Sequence, residues 1–230
     1  MNWRWAQYFL AIAAAAAPLL GVFFWGWSAR EVVLIFWFEN LAIGFWQLMK
    51  MAVAGGLKMK MGGPFAAPGV LFTMLFFAMH YGGFCAGHGT FLLEWTNSSE
   101  VGNSVETVEM QNLQVFLGPL VFLQMLYLVA LQAWESLPEA SLWSIASLFA
   151  MRGLGFFQDF IFSGKWKEAE PRKLMFEPYK NIITLHIAIV FGAGLAMAFH
   201  GAWPILALIV VGKLVMDFVN LRKQEVDVRN

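Results

Sequence analysis

Apolar residues in this chain come in long runs that few polar residues interrupt, not at the two-residue or 3.6-residue period of half-buried elements. The runs fall at about 5–27, 31–53, 68–93, 112–133, 179–199 and 204–221. Each is close to the roughly 20 residues an α-helix needs to cross a bilayer. The pattern therefore predicts an all-α polytopic membrane bundle, with residues 1–230 forming one integral membrane domain of six spans. Pro18 marks a kink in the first span, and Ser28-Ala29-Arg30-Glu31 is a polar break short enough to set spans 1 and 2 antiparallel. Gly55-Gly56 through Pro68 reads as a Gly- and Pro-rich loop. Residues 94–111 read as a polar loop that holds glutamates and no Lys or Arg. A further apolar segment, 139–163, is interrupted by Gly153 and Gly155 and carries Arg152, Gln158 and Asp159. It is expected to lie on or dip into the membrane face as an interfacial helix. The first residues have the layout of a signal peptide, but the apolar run continues through Val22-Phe23-Phe24-Trp25, which suits a retained span.

Composition supports this reading. Hydrophobic residues make up 60% of the chain, charged residues 13%, and the mean hydropathy is +0.63, whereas soluble domains carry about 25% charge. The formal net charge is zero, so no basic field favours a nucleic-acid partner. The partner implied is the lipid bilayer, with a small-molecule or lipid substrate and a homo-oligomer both compatible with the pattern. Cys85 is the sole cysteine, which rules out an intrachain disulfide. Lys50, Lys58 and Lys60 assign the loop after span 2 to the cytoplasmic side. Arg152, Lys165, Lys167, Arg172 and Lys173 assign 134–178 there as well, and Arg222 and Lys223 do so for the C-terminus. Six spans with both termini cytoplasmic satisfy these loops.

Against that apolar background a few ionisable side chains stand out, and such groups within spans default to function because they are costly to bury. Span 2 carries Glu39 and Asn40; span 3, His80 and His88; span 5, His186; span 6, Lys213 and Asp217. Each also has a plain reading. Lys213 and Asp217 stand at i,i+4 and can pair along one helix face. Asn40 suits an interhelical hydrogen bond, and either histidine of span 3 could be a structural hydrogen-bonder. Gly83 and Gly87 have small-xxx-small spacing, which permits a close helix neighbour. Glu39 is hardest to explain this way, since no cation lies near it on its own helix. It must be protonated, paired with Lys213 or a histidine, or bound to a metal.

Three functional readings follow. In the first, His80, His88, His186 and Asp217 are candidate ligands of a divalent metal such as zinc, and Glu39 is the general base of a metal-dependent, hydrolase-like membrane enzyme, with Asn40 and Lys213 completing the polar centre. No HExxH-like motif accompanies them. In the second, the same groups form the relay of a proton- or ion-coupled transporter. In the third, histidines ligate haem, as in a b-type cytochrome. His186 and His200 are spaced for it, but His80 and His88 stand too close together for two stacked haems.

The stretches WGWSAREVVLIFWFENLAIGFWQLMKM, HYGGFCAGHGTF, EPYKNIITLHIAIVFGAG and ALIVVGKLVMDF resemble an uncharacterised bacterial multipass membrane family, a domain of unknown function. The resemblance covers most of the chain, and its motifs fall on Glu39-Asn40, Lys50, His80, His88, His186, Lys213 and Asp217. It implies a location in the bacterial inner membrane and a common polar centre, but no activity, substrate or cofactor.

Overall fold

A computed structural model describes residues 26, 28–62, 66–99 and 115–179, with isolated positions at 183, 187, 208, 211, 212 and 215. The chain divides into a unit of Leu34–Ile182 and a second of Met1–Val33 with Ile183–Asn230. Expected spans 1, 5 and 6 therefore lie outside the described residues, apart from those isolated positions. Every described element is helical and no strand occurs among the described residues.

Helix α1 runs Ala29–Met61. The polar break before it is in fact its start signal. Ser28 Oγ accepts from the Glu31 amide at 3.2 Å, and a Glu31 carboxylate oxygen accepts from the Ser28 amide at 3.2 Å. This is a reciprocal capping box, which satisfies two amides that the first turn leaves without helical partners. The helix then runs through Gly55-Gly56, where a loop was expected. Gly55 does not break it because its missing side chain makes room for Val70 of the next helix, with the Pro171 ring 3.7 Å from where a Cβ would stand.

Helix α2, Ala66–Ser99, takes Pro68 in its first turn, where the absent N–H breaks no helical bond. It continues through residues 94–99 of the expected loop. Trp37 donates its indole N–H to the Cys85 carbonyl at 2.8 Å, Gly44 faces Tyr81, and Gly55 faces Val70. Residue numbers rise in α1 as they fall in α2, so the two helices form an antiparallel hairpin.

A 3-10 turn at Val115–Leu120, bent at Gly118 (φ 53°) and followed by Pro119, leads into α3, Val121–Glu135. Its 15 residues span about 22 Å, short of the helix expected over 112–133. Its direction also differs from expectation. Gly82 lies against Leu123 and Leu126, Gly83 against Phe122, and Gly89 against Val129. The numbers rise together, so α3 runs the same way as α2 and not back alongside it.

Helix α4, Glu139–Gly155, follows Pro138 and continues as a π-helical segment, Phe156–Phe162. Gly153 and Gly155 do not interrupt it. Gly153 instead receives the Trp46 ring, 2.5 Å from where a Cβ would stand, and Trp46 donates its indole N–H to the Phe149 carbonyl at 3.0 Å. Lys50 lies 5.8 Å from the Phe160 ring centre, so α4 descends in the same direction as α1. A strap follows: a 3-10 turn, Lys165–Lys167, then the short α5, Pro171–Leu174. Phe156 and Phe160 of the π segment and Leu174 and Met175 of the strap join Met51, Ala54, Phe77, Tyr81 and Cys85 in one buried apolar cluster.

Candidate functional site

The charged centre of the described unit is an ion pair between α1 and α4. Glu39 lies about three turns into an apolar helix with its side chain 7% exposed, and its Oε1 accepts from Arg152 Nη2 at 2.6 Å. The Arg152 side chain is 39% exposed. A carboxylate this buried is tolerated only with a compensating partner. That partner is supplied from 113 residues away in sequence, by a helix that otherwise meets α1 through rings: Phe45, Trp46 and Phe149 pack with centroids 5.3 Å apart.

Polar groups continue from this pair down one side of α1. Asn40 donates to the Phe36 carbonyl at 3.0 Å, while its own backbone carbonyl accepts from the Tyr81 hydroxyl at 3.0 Å. Its side-chain oxygen is buried and accepts no hydrogen bond among the described residues. Gln47, 4% exposed, donates to the Leu174 carbonyl at 2.6 Å and to Glu177 at 3.0 Å. Lys50 Nζ stands 3.6 Å from the same Glu177 carboxylate. At about 100° per residue, Glu39, Asn40, Gln47 and Lys50 fall within roughly 100° of one another around α1 and extend along about 16 Å of it. The helix therefore has a polar seam, closed at its lower end by the strap.

The remaining candidates are not drawn into this seam. His80 is exposed and sits among rings, stacked on Phe76 at 5.2 Å, edge-on to Phe84 at 5.1 Å and 5.8 Å from Tyr179. His88 is buried and its Nδ1 lies 2.7 Å from the Phe84 carbonyl. A carbonyl only accepts, so Nδ1 carries the proton in this contact. His186, Lys213 and Asp217 lie outside the described residues, and so does His200. Among the described residues no three His, Cys, Asp or Glu side chains come together as a metal-ligand set, so the expected metal centre gains no support from the described part of the chain.

Arg152, read from sequence only as a charge that orients its loop, and Tyr81, Gln47 and Glu177 are not among the candidate site residues of the sequence. The signal for Arg152 was present: an unaccompanied cation in one apolar segment and an unaccompanied anion in another are each other's cheapest partner. Assigning 139–163 to the membrane surface removed the need for it.

These helices describe an all-helical protein in which Arg30–Met61, Ala66–Glu94 and Ser141–Phe162 are long and apolar enough to cross a membrane. The chain belongs to the family of unknown function DUF6498, whose model matches residues 2–229. No curated protein and no solved structure matches it.

Proposed function

We propose that the protein is a multipass inner-membrane transporter in which the Glu39–Arg152 pair and the polar seam of α1 carry the movement of a proton or ion, alone or coupled to a small solute. The observation behind this reading is the 2.6 Å pair itself, a carboxylate 7% exposed held about three turns into the apolar helix α1. Buried ionisable residues in spans mark ion pathways and proton relays, and the seam continues the polar surface toward one end of the helix. The metal-dependent hydrolase reading is less favoured, because Arg152 already engages the proposed base and His80 and His88 have separate local contacts. Its other ligands, His186 and Asp217, lie outside the described residues.

In this arrangement α4 with its π segment is the span that returns the chain to the cytoplasmic side, and α3 is a partial helix. The exchange keeps every basic loop where the Lys/Arg distribution puts it: Lys58 and Lys60 at the end of α1 and Lys165–Lys173 after α4 share one side, with both termini cytoplasmic.

Purified protein in sealed vesicles with an entrapped pH indicator tests the proposal. Under an imposed potential the wild type is expected to move protons or an accompanying ion, and Glu39→Gln to reduce that flux at least tenfold. Wild-type vesicles no leakier than protein-free ones, across a panel of ion gradients, would remove the transport reading.

A further inference from the structure

The end of the bundle that carries the strap has an unbalanced charge. Two ion pairs there cancel internally: Lys50 with Glu177 at 3.6 Å, and Lys173 with Glu170 at 3.3 Å. What remains is exposed. Lys58 and Lys60 end α1, Lys165 and Lys167 flank Trp166 in the 3-10 turn, and Arg172 starts α5. Among the described residues none of these five makes an ion pair, and the exposed described acids beside them are Glu168 and Asp159.

The fold gathers these cations at one level. Phe160, just before the strap, and Leu174 and Met175, just after it starts its last turn, are buried in the same cluster as Met51 and Ala54 of α1. Pro171 lies against Gly55, one turn before Lys58. The strap is thus held across the end of α1 where Lys58 and Lys60 emerge. Apolar surface is interleaved with the charge: Phe162 is 78% exposed, Phe176 62% and Met61 78%, and Lys167 lies 5.8 Å over the Trp166 ring. Cations interspersed with exposed aromatic and thioether side chains at the end of membrane-length helices match a bilayer interface, where rings enter the headgroup layer and ammonium groups meet phosphates.

We infer that this end of the protein is a binding surface for anionic phospholipid headgroups, with Lys58, Lys60, Lys165, Lys167 and Arg172 supplying the charge and Phe162 and Phe176 the insertion. The inference rests on the membrane reading above but not on transport, and it concerns a different face from the α1–α4 ion pair. Its probe is the full-length protein reconstituted in phosphatidylcholine bilayers containing a trace of spin-labelled phosphatidylglycerol or, separately, spin-labelled phosphatidylcholine. The motionally restricted fraction of each label reports how strongly the protein retains it.

The wild type is expected to retain the anionic label several-fold over the zwitterionic one at low salt. The ratio should fall toward unity in about 1 M salt, where the screening length is near 3 Å. The variant K58Q/K60Q/K165Q/K167Q/R172Q should lose the preference. The pairs K58Q/K60Q and K165Q/K167Q should each lose part of it, so the result does not depend on the fivefold variant folding, and K165R/K167R should keep it. Equal retention of the two labels by the wild type overturns the inference, as does a preference unchanged by both pairs. Failure of the wild type to incorporate into either bilayer overturns the membrane reading itself.

Discussion

At the scale of single residues, the ion pair is asymmetric. The Glu39 carboxylate is 7% exposed and the Arg152 side chain 39%, so the two halves differ in what is left behind when one is removed. Arg152→Met takes the guanidinium away from a buried anion, and breaking a buried pair costs about 3 kcal/mol or more. Glu39→Gln leaves a guanidinium that can turn toward polar surroundings, and should cost about half as much. Thermal unfolding in detergent should rank Arg152→Met as the more damaging, with Glu39→Gln/Arg152→Met recovering much of the loss. Equal losses in the two single variants would mean that the difference in exposure does not govern the energetics. Glycine makes a second residue-scale contrast. At Gly89 a Cβ would stand 2.5 Å from both the Trp37 ring and Val129. Trp37 is fully buried and fixed by its bond to the Cys85 carbonyl, so it has nowhere to go. Gly89→Ala should destabilise by about 1–3 kcal/mol, the usual range for overpacking. Gly87→Ala, with no atom of a described residue within 4 Å, should be nearly neutral in the same melting assay. Sequence spacing pairs Gly83 with Gly87 as a packing motif, but among the described residues the α2 glycines in close contact are Gly82 and Gly83, against α3, and Gly89, against Trp37 and Val129. Spacing identifies a helix face with small residues, but the ring that fills it comes from a distant segment.

At the scale of elements, the apolar runs show where helices exist and less well where they end. Glycine was the main source of error. Gly55-Gly56, Gly153 and Gly155 resemble breaks in a one-dimensional pattern, yet Gly55 and Gly153 sit inside helices because a neighbour's side chain occupies their space. The start of α1 was legible and overlooked, since Ser28 and Glu31 hold the spacing of a capping box. Ser28→Ala should therefore weaken the first turn by about 1 kcal/mol, seen as faster amide exchange near residue 31 with the centre of α1 unchanged. Uniform exchange along α1 in both proteins would show that the cap contributes nothing. The strap offers a matching test at the other end. Gln47→Ala removes the donor to the Leu174 carbonyl and to Glu177. It should expose 171–177 to exchange or proteolysis while α1 stays protected, and an unchanged strap would assign its position to the apolar cluster alone.

At the scale of the whole molecule, the proposed membrane arrangement turns on which helix descends after α2. If α4 spans, positions 135 and 163 lie on opposite faces of the bilayer. If it lies along the surface, they share one. In a Cys85→Ala background, Glu135→Cys and Ser163→Cys should label from opposite sides of sealed, oriented vesicles with a membrane-impermeant maleimide. Labelling from the same side would restore the interfacial helix and end the proposed order of spans. The helical class and the presence of helices long and apolar enough to cross a membrane were legible in the apolar runs. The partnering was not, because direction and neighbour depend on which rings fit which gaps. That fit also limits how the unit can change shape. Trp37 occupies the gap at Gly89 and Trp46 the gap at Gly153, each tethered by its N–H to a carbonyl of the facing helix. A helix keyed in this way cannot ratchet one turn along its neighbour without first withdrawing an indole. Relative motion of α1, α2 and α4 would have to be a tilt of the three as one piece.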